Sequence, residues 1–385
     1  MLPELNVLTA LINLLSWQPG HSGFSSYVQR VVPQLDGLRL QLGDDGQGQL
    51  VPASQWTTDS PPWAPAPHMR FLQRYSLVQH GLNLPGLLQL HGLAADQLEG
   101  IYSPFFDALL VWPEVPQLIT CHDLTPLVAS NSRKAWLRYR FWQPRHCRVA
   151  TRLIAISRYV ADQLVAFGVE ADRIEVIPNG ITIQRPPVQS PASEDLLALA
   201  RHDLNKNLPA LFRGVELLQR RWPQWRGVLR IVGRGGPQSP LVQRMHRELP
   251  RPEQLQLIDS LPQSQLLQYL RSSLALLSAS TEEGFDYPVL EAKAEGIPTL
   301  ISDIPVHREF HQDSSLFFPV DDDGSTMAEH VMSCQQDRGL WPQLSRAGFP
   351  CLTHLQLHPF VHANCRYSIY CEVSRCKLST VLPPL

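Results

Sequence analysis

From Arg152 to Ser302 the chain alternates, without a break, between short apolar runs and longer stretches with apolar residues at helical spacing. "RLIAIS" is followed by "RYVADQLVAFG", "DLLALAR" by "NLPALFRGVELLQRR", and "WRGVLRIVGRG" by "LVQRMHREL". "LQLIDS" then gives way to "PQSQLLQYLRSS" and "LALLSAS" to "PVLEAKAEG", before "IPTLIS" closes the series. Strands joined through helices must pair in parallel, and a parallel sheet needs helices on both faces. The first half carries the same pattern more loosely, in "LNVLTALINLL", the loop "SWQPGHSGFSS", the amphipathic "YVQRVVPQL", and then "GIYSPFF" and "VPQLIT". The expected class is therefore α/β, with two doubly wound units facing each other across a cleft. A length of 385 residues suits two such units. The turn "PNGI" marks the boundary, which gives domains at 1–180 and 181–345 and an atypical tail at 346–385.

Charge and composition exclude several classes of function. With 33 basic and 35 acidic side chains, the formal net charge of −2 argues against a nucleic-acid binder. No run of eighteen apolar residues predicts a spanning helix, and the N-terminal apolar stretch lacks a basic leader segment, so it reads as a buried strand. A cytoplasmic protein is expected. "TTDSPPWAPAPHMR" reads as a surface loop. Cys351, Cys365, Cys371 and Cys376 crowd the tail beside His354, His358 and His362, but no Cys-x2-Cys pair occurs, so no metal site is expected. "RKAWLRYRFWQPRHCRVATR" carries seven basic residues, four aromatics and no acid. It reads first as a solvated helix face and, alternatively, as a peripheral contact with an anionic inner membrane.

The chemistry concentrates at predicted strand ends, where α/β sheets bind ligands. After "LALLSAS" comes "TEEGFDY", and Pro288 opens a helix whose amino end offers unpaired N–H groups to an anion. Glu283 and Glu291 flank that point. Carboxylates repel phosphate but accept from hydroxyls, so the arrangement suits a ligand with a phosphate centre and hydroxyl-rich ends: a nucleotide sugar. "ALARHDLNKNLPAL" places Arg201 and Lys206 on one strand–helix loop, where two cations would hold a diphosphate leaving group; a solvated basic loop is the plainer reading. Gly20 and Gly23 let backbone approach a ligand in the first loop, or merely make a turn. His122 in "LITCHDLTP" sits at a strand end and is either a structural histidine or a cleft residue.

These stretches, in this order over roughly residues 5–335, resemble the retaining glycosyltransferases of family 4, which have the GT-B architecture of two Rossmann-like domains. "EGFDYPVLEAKAEG" resembles that family's E-x7-E motif, "VIPNGI" its interdomain linker, "ARHDLNKNLPAL" its phosphate-binding segment, and "ITCHDLTPL" a segment of bacterial mannosyltransferases. The resemblance implies that Arg201 and Lys206 hold the donor diphosphate and that Glu291 accepts from the ribose. It assigns Glu283 to the transferred sugar, and Gly284, Phe285, Asp286, Tyr287 and Leu290 to the donor-binding segment. It places His122 against the sugar from the N-terminal domain and Gly20 and Gly23 near the phosphates. It implies no cofactor and no metal, a GDP-mannose or UDP-glucose type donor, and a glycan or lipid-linked acceptor in cell-surface polysaccharide synthesis. Many members carry glycine where Asp286 stands, and the paired glycines of the first loop are missing. The closing amphipathic helix usual in the family has no visible counterpart in the tail. The alternatives are a non-catalytic scaffold of the same fold and a sugar-nucleotide epimerase. A nicotinamide dehydrogenase is remote, because "VGRGGP" is an incomplete dinucleotide fingerprint in a late strand.

Overall fold

The computed structural model describes residues 9–17, 23–42, 48–55, 86, 94–181, 183 and 185–353. Gly20, the Pro-rich stretch at 57–70 and the chain from 354 onward lie outside these described residues. Two sheets organise the molecule. The first comprises β1 (Thr9–Asn13), β2 (Leu38–Leu42), β3 (Gly48–Pro52), β4 (Leu98–Ser103), β5 (Gln117–Cys121), β6 (Arg152–Ala155) and β7 (Ile174–Val176). Its spatial order is β3-β2-β1-β4-β5-β6-β7, parallel except for the antiparallel β2–β3 pair. The second comprises β8 (Leu196–Leu199), β9 (Leu229–Val232), β10 (Leu255–Ile258), β11 (Ala275–Ser278), β12 (Thr299–Ser302) and β13 (Leu316–Phe318). It is wholly parallel, in the order β10-β9-β8-β11-β12-β13.

The central strands are buried on both faces, which is why they read as unbroken apolar runs: every residue of β5 and of β12 is buried. The helices start where the chain supplies a cap or a proline. Ser157 Oγ accepts from the Val160 N–H at 3.1 Å to open helix Arg158–Ala166. Pro209 lies in the first turn of helix Leu208–Arg221, and Pro288 in that of Tyr287–Ala294. In each sheet the strand order reverses once beside the first strand, between β1 and β4 and between β8 and β11. In open sheets of this kind such reversal points, at the carboxyl ends of the strands, are where ligands bind.

The two units share a core. One buried apolar cluster joins Ile119, Leu153 and Val160 of the first unit to Phe285, Tyr287, Leu290, Ala294 and Leu352 of the second. The stretch set apart as an atypical tail from 346 begins inside a helix that runs to Thr353. The chain is helical over Leu340–Thr353, Trp341 Nε1–H donates to the Leu274 carbonyl at 2.7 Å, and Leu352 is fully buried in the shared cluster.

Candidate active site

The loops after β8 and β11 leave adjacent strands at the reversal point of the second sheet, so the topology alone brings residues 201–206 beside 279–286. Backbone bonds close this junction: the Thr281 N–H donates to the Asn205 carbonyl at 2.7 Å, and Asn205 Nδ2–H to the Glu282 carbonyl at 3.1 Å. Lys206 Nζ then donates to Glu283 Oε1, which also accepts from Ser280 Oγ at 2.7 Å. Burial works against the Lys206 charge, but Glu283, Asp286 and Asp203 outweigh it and hold the ammonium above its ordinary pKa. Burial in turn raises Glu283, while Lys206 pulls it back down.

Asp286 takes a left-handed conformation, φ 61°, immediately before helix Tyr287–Ala294. Aspartate tolerates that region better than most residues, and glycine tolerates it best. The carboxylate is buried and would titrate high on that account. His307 Nε2 at 3.0 Å, Ser278 Oγ at 2.6 Å and the nearby Lys206 more than reverse this and hold it well below the usual range.

The first unit closes over this loop. A Cβ on Gly284 would collide with the His122 carbonyl oxygen, and one on Gly23 would sit 3.5 Å from the Tyr287 ring. The His122 imidazole is edge-on to Phe24 and Tyr27, with centroids 4.9 and 4.7 Å away, and bonds through Nε2 to the Pro104 carbonyl at 2.9 Å. Burial lowers its pKa to about 4, so the ring is neutral and Nε2–H donates. Arg30 Nη2 lies 3.6 Å from Glu291 Oε1, Nη1 donates to the Gly180 carbonyl at 3.2 Å, and the guanidinium covers the Tyr287 ring. Burial raises Glu291 against the pull of Arg30 and pushes the Tyr287 phenol up to about 12. Below these, Glu282 accepts from Tyr159 Oη at 2.8 Å and from Gln163 Nε2 at 2.7 Å, and the Glu309 carboxylate caps the N–H groups of Arg158 and Tyr159.

The structure thus gathers Lys206, Glu283, Gly284, Asp286 and His122 at one junction. Arg201 stands at its rim, 64% exposed, with Nε 3.4 Å from Asp203 Oδ2. Phe285 and Leu290 are packed in the shared cluster, Phe285 against Tyr287 and Phe310. Glu291 meets Arg30 at the edge. Sequence reasoning did not single out Arg30, Ser278, Ser280 or His307. Arg30 and His307 reach the loop from elsewhere in the fold, and Ser278 and Ser280, although next to it in sequence, are ordinary serines until their partners Asp286 and Glu283 are seen. Among the described residues no cluster of histidine, cysteine or acidic groups could hold a metal ion.

Comparison with known proteins agrees with this layout. The family described as Glycosyltransferase Family 4 matches residues 61–185, and Glycosyl transferases group 1 matches residues 182–348. The chain is 25% identical over 211 residues to the O-antigen chain mannosyltransferase RfbU of Salmonella typhimurium, covering 54% of this chain and 58% of that protein. It is 30% identical over 157 residues to the GDP-mannose:cellobiosyl-diphosphopolyprenol alpha-mannosyltransferase of Xanthomonas oryzae, covering 40% of each. The match therefore spans about half the length of these curated relatives. Among solved structures, Anabaena Alr3699/HepE, crystallised in complex with UDP and glucose, superposes with a TM-score of 0.67 at 15% identity, over 94% of this chain and 99% of that one. That likeness concerns the fold, which is GT-B. With both family matches falling in order along one chain and on the two halves of that fold, the protein belongs to the family 4 glycosyltransferases.

Proposed function

We propose that this protein moves a hexose of mannose or glucose type from a nucleotide diphospho-sugar to a glycan or lipid-linked acceptor, with retention at the anomeric carbon and without a metal. The observation that carries the reading is the Lys206–Glu283 pair, held at the β8–β11 reversal point next to Gly284, which abuts the His122 carbonyl of the other unit. A donor diphosphate at the start of helix Tyr287–Ala294 would meet unpaired N–H groups and the Lys206 ammonium, with the exposed Arg201 able to exchange Asp203 for the phosphate. Glu283 would then turn to the sugar hydroxyls, and Glu291 to the ribose. As the anomeric bond breaks, Lys206, Arg201 and the helix end take up the charge developing on the leaving phosphate. The acceptor hydroxyl attacks from the same face and passes its proton to that phosphate, so no carboxylate acts as a nucleophile. GDP-mannose is the first choice of donor, in keeping with the Xanthomonas relative's name, and UDP-glucose the second.

The acceptor side has a surface suited to a lipid-linked substrate. Trp136, Leu137 and Phe141 are exposed among Arg133, Lys134, Arg140, Arg145 and Arg148, a combination that fits the cytoplasmic face of an anionic membrane. Among the described residues no helix is long and apolar enough to cross a membrane.

A thermal-shift panel of nucleotide sugars tests the donor reading. A bound donor at 100 times its Kd stabilises by about 2.7 kcal/mol, and the shift should survive a chelator. A panel with no shift for any nucleotide sugar overturns the proposal. Sedimentation with anionic vesicles, weakened by salt, tests the membrane contact.

A further inference from the structure

His307 has a hydrogen-bonding geometry that fixes its protonation. The ring is fully buried. Nδ1 lies 2.8 Å from the Ser302 carbonyl oxygen, which can only accept. The Ser302 hydroxyl is 3.4 Å from the same nitrogen, but its hydrogen is committed to the Ser280 carbonyl at 2.5 Å. Nδ1 must therefore carry a proton. Nε2 faces Asp286 Oδ2 at 3.0 Å, and that oxygen already accepts from Ser278 Oγ at 2.6 Å. A neutral ring protonated at Nδ1 would set its Nε2 lone pair against a carboxylate, so both nitrogens donate and the ring is an imidazolium. The charge has a counter-ion in Asp286, whose ionisation the surrounding donors favour.

The consequence reaches the proposed donor site. Two hydrogen-bonded groups adjoin there: His307 and Ser278 hold Asp286, and Ser280 and Lys206 hold Glu283, with the two serine oxygens 3.5 Å apart. One carboxylate oxygen of Asp286 is held from below by His307 and Ser278. Among the described residues no hydrogen bond engages the other, Oδ1. We propose that His307 is a positioning residue: it anchors Asp286 in its left-handed conformation so that Oδ1 accepts from a hydroxyl of the transferred sugar, and the pair thereby sets which sugar the enzyme prefers. This rests on the donor reading above. It adds a buried cation, on the helix after β12, that the sequence motifs leave out.

The test separates the two. UDP and GDP binding, by calorimetry, reports on phosphate and ribose contacts, which His307 does not make. The ratio of kcat/KM for nucleotide sugars differing at a single hydroxyl reports on Asp286. His307→Gln should keep nucleoside diphosphate affinity while narrowing that ratio by about tenfold or more, because an acceptor left mobile no longer penalises the wrong epimer. Asp286→Asn should narrow it similarly. Asp286→Gly relaxes the backbone but strands the imidazolium, so it should lower the melting temperature, and adding His307→Gln should restore part of the loss. Wild-type protein that binds neither UDP nor GDP overturns the donor reading and this inference with it. A His307→Gln variant that binds them and keeps the wild-type preference overturns this inference alone. Neutron diffraction on the wild type needs no variant: hydrogens on both ring nitrogens support the assignment, and a single hydrogen overturns it.

Discussion

Gly284 meets the backbone of His122 across the interdomain cleft, so closely that no side chain fits between them. The loop after β11 in one domain and the strand end of the other are thus one continuous wall. Gly284→Ala must push the loop off β5, because the obstruction is backbone rather than a flexible side chain. Overpacking of this kind costs about 1–3 kcal/mol. We expect a lower melting temperature together with a larger radius of gyration by small-angle scattering. An unchanged radius would mean that the strain is absorbed within the loop.

Lys206→Ala removes the cation nearest the loop and leaves Glu283 buried without its partner. A charge contact of this kind is worth roughly 2.7–4 kcal/mol in the transition state, or two to three decades in kcat. Steady-state kinetics on the preferred donor should show that fall, and near-normal turnover would remove Lys206 from the mechanism.

The His122 ring gives the fold a distinct pH response. Its pKa is lowered from 6.5 to about 4 by burial, so the unfolded chain takes up the proton first. The stabilisation is complete above pH 6.5 and is lost as pH falls toward 4. The shift corresponds to something on the order of 3 kcal/mol. In urea titrations between pH 7 and 4, His122→Gln should flatten the stability curve relative to wild type. Parallel curves would show that the ring is solvated.

Tyr159→Phe deletes the hydroxyl that Glu282 accepts from across the domain boundary at 2.8 Å. Losing a hydrogen bond to a charged group costs about 1.5–3 kcal/mol. The loss should appear in denaturant midpoints and should raise hydrogen exchange in helix Arg158–Ala166. Loss of stability without that local exposure would place the effect elsewhere.

Leu290→Ala hollows the cluster shared by the two units, since Leu290 is fully buried there. Such truncations cost about 2–5 kcal/mol. Calorimetry should show one cooperative transition for wild type, and for the variant either a lowered single peak or separate peaks for the two domains.

Much of this architecture was visible in the sequence for one reason. Central parallel strands such as β5 and β12 are buried on both faces, so burial writes itself as a run. β2, β3 and β13 were not read, because "LRLQL" alternates with polar residues, β3 is an edge strand with glycine and proline at its ends, and β13 is a three-residue edge strand. The helix to Thr353 was missed because Pro350 breaks the helical reading, whereas packing of Trp341 and Leu352 holds the turns together. At the site, Lys206 and Glu283 were legible from their places at strand ends. His307 was not, because nothing in "PVHREF" announces that its ring reaches back 21 residues to Asp286. Nor does periodicity distinguish a Phe285 or Leu290 that packs against the other domain from one that lines a ligand site.

The chain passes between the two sheets at residues 177–195, and helix Leu340–Thr353 returns to seat Leu352 against the first unit. The seam between the units is also held by polar contacts, since Glu282 accepts from Tyr159 and Gln163 and Glu309 caps the N–H groups of Arg158 and Tyr159. Any separation of the units that admits a substrate must therefore break charged hydrogen bonds as well as part the shared apolar cluster.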